Sequence, residues 1–222
     1  MSNSSTTVAL PENSVDAQPG LPWPSVASAA TSSTGLDATP EQVAVVADLL
    51  TQLGHLDLIH RLVHEYYAIC QATVVPGPLV LPILTALRDS YPSLQALPLE
   101  DQDDSNGVFS HFAERVVRCT SDNIGISSST SVSDFLASYT GDSLRLEAIG
   151  LVFAIAARSC LLGLARDDVK RDDFVQTMFR CSTYCLHLAR DFAPRMNDGI
   201  AWLSCEHLLL SMSIQGNASK DH

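Results

Sequence analysis

The chain predicts an all-α protein, an irregular bundle of about seven helices behind a disordered N-terminal tail. Three observations carry this expectation. Apolar residues recur at helical spacing in segment after segment from Thr39 onward. No stretch alternates long enough for a strand. Residues 1–38 are rich in Ser, Thr, Pro and Ala, so they bury too little to offset the entropy of ordering them. The organisation expected is therefore a tail over 1–38 and one helical domain over 39–222. Trp23, within Leu-Pro-Trp-Pro, reads as an incidental aromatic of the tail.

The first helix starts at Thr39. Thr39 can cap, Pro40 suits the first helical position, and Gln42 completes a capping box. Val43, Val46, Ala47, Leu50 and Leu53 keep helical spacing to Gly54, which ends the helix. A second helix runs over about 56–71, with Leu56, Ile59, Val63, Tyr66 or Tyr67, and Cys70 on its buried face. A third is expected over 79–90, stopped by Tyr91-Pro92. Residues 100–107 read as a solvated acidic loop without the spacing of a calcium loop. A fourth helix follows over 108–122, then a Ser-rich loop. Ser131 and Asp134 resemble a capping box for a short helix ending at Tyr139. Gly141-Asp142-Ser143 is expected to cap a long helix reaching about Ala165. Its centre, 148–157, has no charge, and Gly150, Ala154, Ala156 and Ala157 permit close helix approach, so it reads as the middle of the core. A mixed-charge connection over 166–173 precedes a helix over 172–192, with Phe174, Met178, Cys181, Cys185, Leu188 and Phe192 on one stripe. The last helix, about 197–215, is apolar almost all round.

Composition bounds function. The chain has 222 residues, 46% hydrophobic and 17% charged, enough for one domain with a real core. Its net charge is −12, with 13 Lys and Arg against 25 Asp and Glu. Nucleic-acid affinity rests on neutralising phosphates, so so acidic a chain is a poor direct DNA binder. The six cysteines spread from Cys70 to Cys205, several on apolar stripes, and no secretory signal is legible. They read as reduced and buried. The uncharged run from Tyr66 to Leu87 contains Pro76, Pro78 and Pro82, so no transmembrane segment is expected.

No residue set carries recognisable chemistry. There is no nucleophile elbow, phosphate loop or dinucleotide fingerprint. His60 and His64 share a helix face at metal-compatible spacing, but the surrounding residues lack the Glu of the zinc-protease motif. Cys181, Cys185 and His187 have ligand-like spacing, yet both cysteines fall inside the apolar stripe. The carboxylates around Asp168 and Asp172 suit a helix N-terminus. A Ser/His/Asp set assembled in space stays open. No catalytic residue, cofactor site or metal site is assigned, and the chain is expected not to be an enzyme.

Several phrases carry a family likeness. They are 62–67 (Leu-Val-His-Glu-Tyr-Tyr), 146–153 (Leu-Glu-Ala-Ile-Gly-Leu-Val-Phe) with Ala156-Ala157-Arg158, and 185–188 (Cys-Leu-His-Leu). Asn197-Asp198, Trp202-Leu203, Glu206 and Gly216-Asn217-Ala218-Ser219 complete the series. From Thr39 on, the chain resembles the middle, regulatory domain of fungal zinc-cluster transcription factors. The resemblance implies a helical interaction domain of a transcription regulator, in the nucleus or otherwise the cytoplasm, of the kind that governs a metabolic or secondary-metabolite gene cluster. Its implied partner is protein, as a homodimer or a heterodimer with a related regulator. It marks Asn197, Asp198, Trp202 and Glu206 as motif residues. The family's closely spaced cysteines that hold zinc have no counterpart here, and the helical domain looks truncated, so direct DNA binding is doubtful. Two other readings stand beside this one: a ligand-binding helical domain or enzyme, and an inactive remnant.

Overall fold

The computed structural model describes residues 38–70, 73–95, 105–127, 129–163 and 171–218. The protein is all-α, and no strand occurs among the described residues. Eight α-helices appear: α1 (Pro40–Thr51), α2 (Leu56–Ile69), α3 (Gly77–Gln95), α4 (Ser105–Ser121), α5 (Val132–Ala137), α6 (Leu146–Leu161), α7 (Arg171–Phe192) and α8 (Asp198–Ala218). The expected tail and Trp23 lie outside the described residues, as do most of the acidic loop and the connection over 164–170.

α6 is the axis of the fold. Every residue from Leu146 to Ala157 is buried, and α2, α7 and α8 pack around it. Small residues make this possible. A Cβ placed on Gly150 would lie 2.6 Å from Cys185 Cβ and 2.8 Å from Leu203 Cδ2. Glycine therefore lets α7 and α8 close on α6 together. Each fully buried Leu, Ile, Val or Phe of this layer contributes roughly 1.5–3 kcal/mol of transfer free energy.

The helix ends follow local chemistry. Thr39 accepts from the Gln42 backbone N–H, while the Gln42 side chain accepts from Thr39 N–H, a reciprocal capping box. Ser131 accepts from Asp134 N–H at the start of α5. Asn197 accepts from Ile200 N–H at 2.8 Å and caps α8. The stripe Phe174, Met178, Cys181, Cys185, Leu188 and Phe192 is buried on α7 as its spacing predicts.

Several boundaries differ from expectation, among them the end of α6, at Leu161 and not about Ala165. Gly54 ends nothing by itself: α1 stops at Thr51, and Gln52–His55 form a 3₁₀ turn leading into α2. α3 runs through Tyr91-Pro92 to Gln95, although an internal proline removes a backbone bond and crowds the carbonyl four residues earlier. α4 begins at Ser105, inside the expected acidic loop. Gly141–Ser143 is a separate 3₁₀ turn, with Gly141 at φ +60°, and α6 begins only at Leu146. By length and composition the stretch Pro40–Ile69 reaches the apolarity of a membrane span. It is two helices broken by the 3₁₀ turn, and Val46, Leu50, Ile59, Leu62 and Val63 lie in the core.

Candidate functional site

The uncharged centre of α6 is bracketed by three charges, Arg145 and Glu147 at its start and Arg158 near its end. All three meet partners across the core. Together with α8 they form the most polar part of the interior.

At the first end, Arg145 is 1% exposed and lies just before α6. Its guanidinium donates to the carbonyls of Cys119, Thr120 (2.9 Å) and Asp122 (3.0 Å). These carbonyls lie at or just past the C-terminus of α4, where the regular helical bonding runs out, although Cys119 O also accepts from Asp122 N–H at 3.2 Å. A cation there also meets the negative end of the α4 dipole. The same guanidinium reaches Glu147 Oε1 at 3.3 Å. Thr120 adds to the joint: its hydroxyl donates to Val116 O and accepts from Leu146 N–H at 3.0 Å. That hydroxyl caps the start of α6, which its own N-cap residue Arg145 does not do.

Glu147 Oε1 also accepts from Asn197 Nδ2 at 2.8 Å. Asn197 thus caps α8 with its oxygen and ties α8 to α6 with its nitrogen. Beside it, Tyr139 from the turn after α5 brings its hydroxyl against Gly199. A Cβ at Gly199 would lie 2.8 Å from Tyr139 Oη and 3.1 Å from Glu147 Cβ, so only glycine fits. Tyr139 Oη and Glu147 Oε2 are both buried without a hydrogen-bond partner. Both residues line a small recess between α3, α5, α6 and α8, walled otherwise by apolar side chains such as Ile83, Leu151 and Trp202. The recess has room for about one water molecule. Burial, reinforced by the Glu147 charge, pushes the Tyr139 hydroxyl up to about 12. It is therefore a neutral donor at physiological pH.

At the second end, Arg158 pairs with Glu206 of α8 and lies 5.4 Å from the centre of the Tyr66 ring. Glu206 is fully buried, whereas the Arg158 side chain is 19% exposed. Burial raises the Glu206 carboxyl above its ordinary value, and Arg158 opposes that rise without cancelling it. Glu206 Oε1 has no partner. Next to Arg158, Ser159 donates to Leu62 O at 2.6 Å and ties α2 to α6.

The four motif residues have distinct places. Asn197 and Glu206 are the two polar links between α8 and α6. Trp202 is half-buried, its ring edge-on to Phe135 at 5.6 Å. Asp198 is exposed in the first turn of α8, where its charge suits the helix N-terminus. Arg145 is the residue that sequence reasoning missed, and Glu147 and Arg158 stand in the family phrases without a role given to either. Their signal was available, since a charge flanking a long apolar run must find an opposite charge once the run is buried.

The ligand-like spacings resolve differently. Cys181 and Cys185 are buried core residues, whereas His187 is exposed. Burial pushes the Cys181 thiol up to about 11, and Cys185 well above its ordinary value, so neither is a reactive thiolate. Of the six free cysteines, Cys160 is also buried, Cys70 and Cys119 are half-buried, and Cys205 departs from expectation by being exposed. His60 and His64 stack tilted at 4.3 Å between ring centres. Among the described residues, no group of three or more His, Cys, Asp or Glu converges.

One Ser–His contact is assembled across space. Ser182 Oγ lies 2.9 Å from both Phe179 O and His207 Nδ1. With the single hydroxyl proton given to Phe179 O, Ser182 must accept from His207 Nδ1–H. That polarity is the reverse of a nucleophile donating to its base. The hydroxyl is also fully buried, and His207 is stacked on Phe179 at 4.9 Å. The pair joins α7 to α8. Comparison with protein-family models, with curated proteins and with solved structures gives no match for this chain.

Proposed function

We propose that the chain is a regulator-like helical module that works through protein contacts. The outward face of α8 is the observation that carries this reading. Leu208 and Met212 are each 60% exposed there, beside exposed Ala201 and Cys205. Apolar surface gathered on one exposed helix face is characteristic of an interaction site. The buried polar groups point the same way: they join helices to one another, the Ser182–His207 contact among them between α7 and α8. The likeness to the middle domain of fungal zinc-cluster transcription factors gives the contact its context. In that context the protein works in the nucleus on a metabolic or secondary-metabolite gene cluster, pairs with itself or with a related regulator, and leaves DNA binding to others. The net charge of −12 agrees with that division of labour.

Deleting the gene in its host and measuring transcripts of the neighbouring genes tests the regulatory reading. Altered expression of an adjacent cluster is expected. Unchanged transcripts, with no protein recovered alongside the tagged chain, would leave the inactive-remnant reading instead.

A second reading, a ligand-binding helical domain, is favoured by the recess at Tyr139 and Glu147. Its surface is wholly apolar, and the unpartnered Tyr139 hydroxyl and Glu147 Oε2 lie beside it without opening onto it. At its present size it suits a water molecule, so ligand entry requires Trp202 or α5 to move.

A further inference from the structure

We infer that α8 pairs with α8 of a second copy of this chain, antiparallel, along Ala201, Cys205, Leu208 and Met212. The inference rests on the reading of the chain as a protein-contact module and names the partner. The four residues are spaced four, three and four apart, the spacing of a coiled-coil seam. All four are exposed, while Leu203, Glu206 and Leu210 on the opposite side of the helix are buried in the core. α8 therefore has two apolar faces, and the protein covers one.

Charge selects the partner. The other helices with exposed faces carry charge there, for example Glu41 on α1, Arg61 on α2, Glu114 on α4 and Asp173 on α7. Between Gly199 and Gly216, α8 has one acid, Glu206, and it points inward. In a chain of net charge −12, this is the helix face on which two copies meet without opposing fixed charges. The cation at its edge is Arg190 of α7, which donates to Ser204 Oγ at 3.0 Å.

Size selects the direction. In an antiparallel pair with two-fold symmetry, Ala201 faces Met212 of the second copy and Cys205 faces Leu208. Each contact then sets a small side chain against a large one, as interdigitated packing requires. The arrangement is isologous, since each pair occurs twice about the axis. A parallel pair would set Ala201 on Ala201 and Met212 on Met212, alternating gaps with clashes. Antiparallel helices also place opposite dipole ends together. The seam spans about 17 Å at 1.5 Å per residue, and it is narrower than the roughly 800 Å² per partner of a standard interface. A dissociation constant in the micromolar range is therefore expected.

Sedimentation velocity of the full chain under reducing conditions, from about 1 to about 300 µM, tests this. The wild type should pass from monomer to dimer across that range. Leu208→Glu and Met212→Glu should each weaken association by about tenfold or more, with far-UV circular dichroism and melting temperature unchanged. Leu208→Cys should cross-link on mild oxidation through a peptide joining 208 to 205, while the wild type should not cross-link through Cys205. A wild type monomeric throughout, or a dimer indifferent to both glutamates, overturns the proposal. A wild-type Cys205–Cys205 cross-link overturns the antiparallel register. These outcomes are separate from transcript changes on deletion: a monomer that still alters transcripts refutes the second copy and spares the regulatory reading.

Discussion

The two buried ion pairs of α6 use the same chemistry to different ends. Arg145–Glu147 is closed on its cation: the arginine is spent on three carbonyls at the end of α4, and Glu147 Oε1 is shared with Asn197 while Oε2 stays bare. Arg158–Glu206 is open. Its arginine keeps 19% of its surface, its carboxylate likewise has one bare oxygen, and burial holds that carboxyl above its ordinary value. In the first pair the cation serves the backbone, and the carboxylate follows. In the second the carboxylate is the buried group and the cation compensates for it. A buried ion pair is therefore defined less by its two charges than by what else each partner must satisfy.

The largest effect that would test this contrast is at Arg145. Arg145→Ala takes a donor from three carbonyls at the end of α4 and the counter-charge from Glu147, and removing one partner of a buried pair costs about 3–5 kcal/mol. That is a large part of a typical domain stability of about 5–15 kcal/mol. Chemical denaturation followed by circular dichroism should show the loss at neutral pH and, undiminished, at mildly acidic pH, because a stranded carbonyl cannot be neutralised by a proton. A loss that disappears on acidification would mean that Glu147, not the helix end, is what Arg145 serves.

Arg158→Ala should behave in the opposite way. Glu206 already has a raised pKa in the folded state, and losing Arg158 removes the charge that opposes the rise. A group whose folded pKa lies above its unfolded value favours folding below the unfolded pKa, and that advantage is lost as pH rises through the folded one. The variant should therefore lie close to wild type in acid and fall away as pH rises past the carboxylate range. At neutral pH the loss should be about 1–3 kcal/mol, smaller than for Arg145→Ala. A pH-independent difference between Arg158→Ala and wild type would erase the distinction between the pairs.

Much of the architecture was legible because it is written in short-range patterns. Thr39, Pro40 and Gln42 specify a helix start within four residues, and the α7 stripe announces its buried face by spacing alone. Gly150 and its neighbouring alanines foretold the close approach of α7 and α8. What escaped depends on distant residues. α6 starts at Leu146, not beside Gly141, because Thr120, 26 residues earlier, caps it across space. α3 continues through Pro92 and α4 begins within an acidic stretch, which shows a helix overriding local breakers. The polar site was half legible. Asn197 stood at the expected start of the last helix and does cap it, but its second bond to Glu147 spans 50 residues. Glu206 stood out among apolar neighbours without indicating Arg158.

The smallest effect expected is at Asn197, which belongs to the closed pair and has two separable tasks. Its oxygen caps α8, and its nitrogen fills the Glu147 carboxylate. Asn197→Ala loses both, and an N-cap alone is worth about 1 kcal/mol. Asn197→Ser keeps a capping oxygen but is too short to replace the amide that reaches Glu147. Asn197→Asp keeps the cap and substitutes an acceptor for the donor, setting a second carboxylate against Glu147. If the closed pair depends on the Asn197 nitrogen, the Asp variant should be less stable than the Ser variant at neutral pH, although aspartate is an equally good N-cap. The gap between them should narrow in acid as the carboxylates protonate. Thermal melts of the three variants at two pH values would show it. An Asp variant as stable as the Ser variant would reduce Asn197 to a cap and leave Glu147 held by Arg145 alone.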